Sequence, residues 1–151
     1  MDYRVENLTE EDVMNIISWK YVDDYSIYNF PSYEIMKKEN WAILNQEKRN
    51  EQFRKIIHNN ELIGWFRFQG NDEITIGLGM KPSLCGKNNG KYFIKTILDY
   101  INKKNIVLIV REFNKRAINC YKSCGFKEID RFYKENKVEG AYFIKMKYDS
   151  K

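Results

Sequence analysis

The sequence predicts a mixed α/β fold in one domain over residues 1–151. Two periodicities indicate it: short runs in which apolar and polar residues alternate, as in strands, and longer runs with apolar residues three and four apart, as in helices. Their order is strand, two helices, three strands, helix, strand, helix and two strands, which gives about seven strands and four helices. A length of 151 residues with 43% hydrophobic residues suits one domain with a sizeable core.

A short strand and two helices are predicted before residue 50. The strand covers residues 3–5. Thr9 then caps the first helix, because its oxygen can accept a hydrogen bond from the first turn, where three acidic residues follow. The second helix begins at Ser32, just after Pro31, and we expect it to continue to about Asn45.

Three further patterns predict strands. Glu51 to Gln69 reads as a hairpin whose two-residue turn is Asn59-Asn60. Residues 106–110 are all apolar, which predicts a strand covered on both faces. Phe126 to Tyr133 and Ala141 to Tyr148 predict a closing antiparallel pair. The polar residues that join this pair are Glu135, Asn136 and Lys137.

The stretch from Ile74 to Lys91 predicts a strand, a glycine-bearing loop and a helix. Pro82 ends the strand because it has no N–H to donate. The following loop holds residues that adopt left-handed dihedrals at low cost: Gly86, Asn88, Asn89 and Gly90. The helix has an apolar face of Phe93, Ile94, Ile97, Leu98 and Ile101. Such a turn directs backbone N–H groups and the positive end of a helix dipole to one spot, which suits a phosphate.

The spacing of this loop excludes two common phosphate-binding motifs. A Walker loop needs four residues between its glycines, and Gly86 to Gly90 has three. The dinucleotide fingerprint G-x-G-x-x-G is absent. Residues 85–90 instead resemble the acetyl-coenzyme A signature of the GNAT superfamily of N-acetyltransferases, Q/R-x-x-G-x-G/A. Cys85 stands in place of Gln or Arg, and Asn88 in place of the first glycine.

A second segment, Val110 to Phe126, resembles the other half of the cofactor site in that superfamily. Its letters, VREFNKRAINCYKSCGF, match V-x-x-x-N-x-x-A-I-x-x-Y-x-x-x-G-F. The resemblance implies that Asn114 caps a short helix and faces the cofactor, that Ala117 allows close packing, and that Tyr121 lies near the thioester sulfur. One helix and one strand separate the two segments, as in the superfamily.

The resemblance also implies a fold and a reaction. The GNAT fold has a mostly antiparallel central sheet with a splayed central pair, and the pantetheine arm of acetyl-coenzyme A would pair with residues 74–80, where Gly77 and Gly79 allow close approach. The backbone N–H of Leu78 or Met80 would polarise the acetyl carbonyl, and Tyr121 would protonate the leaving thiolate. The expected activity is direct transfer of an acetyl group to a primary amine.

The base and the acceptor-binding residues follow less directly. Glu73 shares a strand face with Thr75 and could take the amine proton through a water, but a solvated carboxylate is the favoured alternative, with bulk water as the base. Residues 19–33 are dense in aromatic side chains, which suggests an aromatic-lined cleft for an ammonium. The alternative for each of these aromatic residues is that it packs in the core or at the rim of the pocket and has no chemical role. The predicted acceptor-binding residues are Asp24, Tyr25, Tyr28 and Thr75.

The predicted cofactor-binding residues lie in or beside the two motifs. They are Leu78, Gly79, Met80, Cys85, Gly86, Lys87, Asn88, Asn89, Gly90, Lys91, Asn114, Ala117 and Tyr121. The catalytic candidates are Tyr121 and Glu73. No metal is expected, because Cys120 and Cys124 have no second pair of ligands.

Charge is distributed unevenly along the chain. Residues 1–80 carry 9 Lys or Arg against 14 Asp or Glu, and residues 81–127 carry 11 against 2. The basic block contains both motifs, and coenzyme A brings a pyrophosphate and a 3′-phosphate, so the ligand and the block are complementary. The acidic part favours a cationic acceptor, which leaves a polyamine, an aminoglycoside, an amino acid and a protein N-terminus open.

The composition also bears on location and on rival functions. No apolar run approaches a membrane span, the first residues are acidic where a signal peptide would be basic, and three cysteines favour reduced thiols. We expect a cytoplasmic enzyme without a membrane or nucleic-acid partner, and a homodimer is compatible with the sequence. The first rival is an acyl-coenzyme A binding module without turnover. The second is a nucleic-acid binder, suggested by the pI near 9.0 and by residues 66–68.

Overall fold

The structure, a computed structural model, describes residues 2–135 and 140–149. Its strands are β1 (Arg4–Asn7), β2 (Phe53–His58), β3 (Glu61–Gln69), β4 (Ile74–Met80), β5 (Ile106–Arg111), β6 (Phe126–Lys134) and β7 (Ala141–Tyr148). Its α-helices are α1 (Glu10–Ile17), α2 (Tyr33–Lys38), α3 (Gln46–Gln52), α4 (Gly90–Ile101) and α5 (Lys115–Ser123). Three 3-10 turns cover Asp23–Tyr28, Ala42–Leu44 and Pro82–Leu84. The predicted mixed α/β class is confirmed.

The seven strands form one sheet in the order β1-β2-β3-β4-β5-β7-β6. Pairing is antiparallel for β1 with β2, β2 with β3, β5 with β7 and β6 with β7. Strands β4 and β5 are parallel, and their register joins only Ile74 to Ile106 and Thr75 to Val107. Pairing limited to the first two residues of each strand matches the predicted splayed central pair.

The chain divides into two compact units. Unit 1 consists of residues 1–67 and 78–85, and unit 2 consists of residues 68–77 and 86–151. Strands β3 and β4 each contribute residues to both units.

Unit 1 has its own apolar core beneath α1. Thr9 forms a capping box with Asp12: the Thr9 oxygen accepts from the Asp12 N–H at 3.1 Å, and the Asp12 carboxylate accepts from the Thr9 N–H at 2.9 Å. The predicted helix start is therefore confirmed. The residues that α1 buries join Met36, Ile43 and Phe53 in one cluster; they are Val13, Ile16 and Ile17.

The predicted second helix is wrong in its length. It begins as expected, with the Ser32 hydroxyl accepting from the Ile35 N–H, but α2 ends at Lys38. Asn40 has a φ of 57°, a left-handed conformation that turns the chain out of the helix. A separate helix, α3, then begins with Asn45 as its cap, and this helix was not predicted.

The hairpin of β2 and β3 and its turn were predicted correctly, but the hairpin begins at Phe53, since Glu51 and Gln52 belong to α3. Asn59 and Asn60 connect its strands and have φ values of 51° and 63°. Two successive left-handed residues match the right-handed twist of the flanking strands, and asparagine adopts them more readily than most residues.

Unit 2 contains the predicted helix α4, the strand β5 and the closing pair β6 and β7. Helix α4 buries Phe93, Ile94, Ile97 and Leu98 as expected. Strand β5 departs from expectation only at Ile109, which is 52% exposed. Val107, on the same face, is buried, as are Ile106, Leu108 and Val110 on the other face. In the predicted connection between β6 and β7, Asn136 and Lys137 lie outside the described residues.

Candidate active site

The loop after β4 has the left-handed positions that its sequence predicted, but at two residues rather than four. Strand β4 ends at Met80, a 3-10 turn begins at Pro82, and Gly86 and Asn88 have φ values of 76° and 62°. Asn89 is right-handed, with φ of −88°, and Gly90 is the first residue of α4. Asn88 thus takes the backbone conformation that a glycine would otherwise supply.

Helix α5 is formed as the second motif predicted. The Asn114 Oδ1 atom accepts a hydrogen bond from the Ala117 N–H at 3.2 Å, which caps the helix. Tyr121 lies on the buried face of α5, with 8% of its surface exposed, and its ring centroid is 5.8 Å from that of Phe126.

Within unit 2 the loop and α5 pack against each other. A Cβ atom placed on Gly90 would lie 2.8 Å from Cys120 Sγ, so no larger residue fits between α4 and α5 without a shift. A Cβ atom on Gly86 would lie 2.9 Å from the Nη1 atom of Arg116. The structure therefore brings together the two segments that the sequence paired.

Arg116 is a site residue that the sequence interpretation missed. Its guanidinium reaches the loop at Gly86 and adds a permanent positive charge there. Arg116 belongs to the basic block of residues 81–127, but nothing in the sequence distinguished it from the other cations of that block.

These residues fit a diphosphate-bearing cofactor. The first turn of an α-helix directs backbone N–H donors outward, and an anion can accept from them. Lys87, Lys91 and Arg116 supply positive charge in this part of unit 2, and the backbone between the strand and α4 is left-handed at Gly86 and Asn88.

In unit 1 the end of β4 is fixed by aromatic side chains. A Cβ atom on Gly79 would lie 2.5 Å from Trp65 Nε1. The indole ring of Trp65 therefore packs directly against the Gly79 backbone, where a side chain would otherwise lie. The Tyr21 hydroxyl donates to the Met80 carbonyl at 2.7 Å. Burial, with the nearby Cys85 thiol, raises the pKa of Tyr21, which keeps the phenol protonated as a donor. At Gly77, in unit 2, an added Cβ would meet nothing within 4 Å.

The aromatic segment of unit 1 divides into packed and accessible side chains. Phe30 packs against Trp41 and Trp65, with ring centroids 5.9 Å and 6.1 Å away, and joins the core. The turn Asp23–Tyr28 presents Asp24 as an exposed carboxylate, and Tyr25 and Tyr28 are half-buried. Asn29 closes this segment, because its Oδ1 atom accepts from the Tyr21 N–H at 2.6 Å.

Glu73 and Thr75 lie in unit 2, at and just inside the start of β4. Glu73 precedes the strand and its carboxylate lies 3.8 Å from Lys145 Nζ, with 46% of the side chain exposed. The contact is a solvent-exposed ion pair. Thr75 is exposed.

A cleft of 280 Å³ opens elsewhere in unit 2, beside the start of α5. None of the predicted site residues lines it; its lining residues are Arg111, Glu112, Phe113, Lys115, Ala141 and Tyr142. Within residues 2–135 and 140–149, no three His, Cys, Asp or Glu side chains gather as a metal site would require. The helices that the structure describes include none long and apolar enough to cross a membrane.

The fold is shared with solved N-acetyltransferases. A chimera of the Vibrio cholerae spermidine N-acetyltransferase matches with a TM-score of 0.75 and 20% identity, over 98% of this chain and 95% of that one. The Vibrio cholerae enzyme in complex with CoA and spermine matches with a TM-score of 0.72 and 18% identity, over 96% and 94%. The Escherichia coli ribosomal-protein-S18-alanine N-acetyltransferase matches with a TM-score of 0.68 and 18% identity, over 99% and 96%.

The family follows from the sequence itself. Residues 11–126, more than two thirds of the chain, match the acetyltransferase (GNAT) family. This range contains the loop at Gly86–Gly90 and the helix that carries Tyr121. The chain therefore belongs to the acetyltransferase (GNAT) family, and it is an acetyl-coenzyme A-dependent N-acetyltransferase.

Proposed function

We propose that this enzyme acetylates a small polycationic amine of the polyamine class, with Tyr121 as the general acid. The observation that carries the proposal is the packing in unit 2 of the phosphate-type loop on the helix that bears Tyr121, with Gly90 against Cys120. This packing fixes the position of the Tyr121 helix relative to the residues that would hold the cofactor.

Acetyl-coenzyme A would be held in unit 2 by the backbone N–H groups of residues 86–91 and by the cation of Arg116. The cofactor supplies the acetyl group as an activated thioester. Asn114 and Ala117 shape the start of α5 beside this loop. Leu78, Gly79, Met80 and Cys85 belong to unit 1, and their contacts with the cofactor stay predictions from the resemblance.

Tyr121 is suited to hold and donate a proton. A phenol keeps its proton at neutral pH, since its ordinary pKa is about 10, and this value is near that of an alkyl thiol. The burial of its ring against Phe126 restricts the side chain to few orientations. We assign the amine proton to bulk water rather than to Glu73, which stands in an exposed ion pair with Lys145.

The polyamine class is supported by charge. Residues 1–80 are net acidic, and Asp24 places an exposed carboxylate beside two half-buried tyrosines, Tyr25 and Tyr28. Carboxylates and aromatic faces both attract ammonium groups. Two of the similar structures are named as spermidine N-acetyltransferases, and another as a ribosomal-protein-S18-alanine N-acetyltransferase. A peptide with an N-terminal alanine therefore serves as the acceptor to compare with polyamines.

The test is thiol release from acetyl-coenzyme A with four acceptors at matched concentration: spermidine, spermine, an aminoglycoside and a peptide with N-terminal alanine. We expect kcat/KM for the better polyamine to exceed that for the peptide by at least about tenfold, which corresponds to 1.4 kcal/mol of transition-state binding. A peptide that reacts as fast as the polyamines would overturn the assignment of the acceptor.

We also propose a cytoplasmic location, because three cysteines leave one thiol unpaired in any intramolecular disulfide scheme, which favours a reducing compartment. The homodimer stays a prediction from the sequence.

A further inference from the structure

The side chain of Asn29 is bonded to both backbone groups of Tyr21. Its Oδ1 atom accepts a hydrogen bond from the Tyr21 N–H at 2.6 Å, and its Nδ2 atom donates to the Tyr21 carbonyl at 3.4 Å. Both residues are half-buried, and they lie 8 positions apart in the sequence. This pair, which we call the Tyr21–Asn29 clasp, therefore closes residues 22–28 into a loop.

The closed loop carries most of the predicted acceptor-binding residues. They are Asp24, Tyr25 and Tyr28. Hydrogen bonds between residues three apart shape the loop internally. The Tyr25 N–H donates to the Val22 carbonyl at 3.1 Å. The Asn29 N–H donates to the Ser26 carbonyl at 3.0 Å. The clasp adds a bond across the whole loop, so it fixes the two ends of the loop relative to each other.

The same tyrosine reaches the free edge of β4 in unit 1. The Lys81 N–H donates to the Ile63 carbonyl on β3 at 2.8 Å. Successive residues of a strand direct their backbone groups to alternate sides, so the N–H and the carbonyl of Met80 point away from β3. The Tyr21 hydroxyl donates to this carbonyl at 2.7 Å, and the Cys85 thiol donates to it at 3.6 Å. The Met80 N–H on the same side is one of the two groups predicted to polarise the acetyl carbonyl.

We propose that Asn29 is a positioning residue for the acceptor amine. Through Tyr21 it holds the loop of residues 22–28 at the edge of β4, so that the side chains that bind the amine lie at a fixed distance from the acetyl group. A loop that is already ordered loses less conformational entropy when the amine binds. This role rests on the proposed acceptor site, whereas the clasp itself does not.

Two substitutions of similar size to asparagine test the role. Asn29→Leu removes both hydrogen bonds of the clasp, and we expect the KM for the amine to rise about tenfold, equivalent to about 1.4 kcal/mol. Asn29→Asp keeps an oxygen that accepts the shorter bond, from the Tyr21 N–H, and should hold this KM within about threefold of the parent. In both variants kcat and the KM for acetyl-coenzyme A should stay within about twofold. A loss confined to kcat, or an equal rise of both KM values, would overturn the proposal.

A double variant tests whether Asn29 acts through Tyr21. Tyr21→Phe removes the bond from the Tyr21 hydroxyl to Met80, at the far end of the same chain of hydrogen bonds. If the clasp acts through this chain, Tyr21→Phe combined with Asn29→Leu should raise the amine KM little more than Asn29→Leu alone. Independent effects would instead multiply, and a double variant several-fold weaker than Asn29→Leu would refute the action through Tyr21.

Hydrogen exchange measures the clasp without any ligand, so it separates a failure of the clasp from a failure of the proposed acceptor. In the full chain we expect the backbone amides of residues 25 and 29 to exchange at least about fivefold faster in Asn29→Leu than in the parent, because the loop opens more often. Unchanged exchange would show that Asn29 does not hold the loop. Faster exchange with an unchanged amine KM would show that the loop does not bind the acceptor.

The matched control is Asn45→Ala, outside the aromatic segment of unit 1. It removes another bond from an asparagine side chain to the backbone, in which the Asn45 Oδ1 atom accepts from the Lys48 N–H at 2.9 Å. We expect a lower melting temperature and an amine KM within about twofold of the parent. An equal rise in amine KM would attribute the effect to a general loosening of unit 1 and overturn the role of Asn29. All variants are measured with the best of the four acceptors, so a parent enzyme that prefers the peptide would overturn the polyamine assignment alone.

Discussion

The basic segment of residues 81–127 and the aromatic segment of residues 19–33 differ in how their function is encoded. In the basic segment, function depends on backbone conformation and close packing: Gly86 and Asn88 are left-handed, and Gly90 leaves no room for a Cβ beside Cys120. Few residue types satisfy such constraints, so their spacing can be recognised in a sequence. The aromatic segment depends on which side chains face a ligand, and many sequences can supply those.

The two segments also differ in how they are held. The loop of the basic segment is held by helix packing. The aromatic segment is anchored in the core at Phe30, and its Tyr21 end is held by hydrogen bonds, from the Tyr21 N–H to Asn29 and from the Tyr21 hydroxyl to Met80. We therefore expect substitutions in the basic segment to affect the cofactor or the chemical step, and substitutions in the aromatic segment to affect the acceptor.

The largest effect should come from Tyr121→Phe. The substitution removes the proposed acid and keeps the ring that packs against Phe126, so we expect kcat to fall about 100-fold or more with little change in the KM for acetyl-coenzyme A or in the melting temperature. Steady-state kinetics with spermidine and a thermal melt measure the three quantities.

The matched control for this prediction is Tyr100→Phe, on α4 in the same unit. The Tyr100 ring packs against Phe68 and is 43% exposed, and kcat should stay within twofold of the parent. A similar kcat for Tyr121→Phe and the parent enzyme would remove Tyr121 from the mechanism. The basic segment would then differ from the aromatic segment only in binding the cofactor.

The next effect should come from Gly90→Ala. Its new Cβ would lie 2.8 Å from Cys120 Sγ, and we expect the separation of α4 and α5 that results to weaken coenzyme A binding about tenfold, equivalent to about 1.4 kcal/mol. Titration calorimetry with coenzyme A measures this. Adding Cys120→Ala removes the clashing sulfur and should recover most of the affinity, whereas a double variant as weak as the single one would show that the packing is not the cause.

Much of the fold could be predicted because local chemistry agrees with it. Thr9 caps α1, Asn59 and Asn60 form the hairpin turn, and Asn114 caps α5, each through a short-range interaction that the sequence displays. The second helix failed at Asn40, because asparagine can end a helix in the left-handed conformation and the prediction did not weigh this local signal.

Site residues could be predicted where the backbone geometry restricts the residue type. They could not be predicted where contacts between side chains distant in sequence determine the site. Gly79 was assigned to cofactor approach, yet its nearest neighbour in unit 1 is the Trp65 ring, a contact that depends on the pairing of strands distant in sequence. Arg116 was missed because nothing in its sequence position shows that the side chain reaches Gly86. Ile109 lies in an apolar run, and nothing in its residue type distinguishes it from its buried neighbours.

A smaller effect should follow from Tyr21→Phe in the aromatic segment. The Met80 carbonyl would lose its hydrogen bond from the Tyr21 hydroxyl at 2.7 Å, and the segment would lose one attachment to β4. We expect the KM for the amine to rise about fivefold, consistent with the loss of roughly 1 kcal/mol from one hydrogen bond, and the kcat to stay within twofold. A fall in kcat without a change in amine KM would show that the aromatic segment affects the chemical step rather than acceptor binding.

The smallest effect should come from Glu73→Gln, which tests whether the start of β4 contributes chemistry. The Glu73 carboxylate is exposed and lies 3.8 Å from Lys145 Nζ, and such surface pairs contribute about 0–1 kcal/mol to stability. We expect kcat/KM within twofold of the parent and an unchanged pH profile, because bulk water can take the amine proton. The profile is the decisive measurement: a general base would give an acidic limb that disappears in the variant, together with at least a tenfold loss of rate. That outcome would return Glu73 to the mechanism and place a functional carboxylate outside both segments compared above.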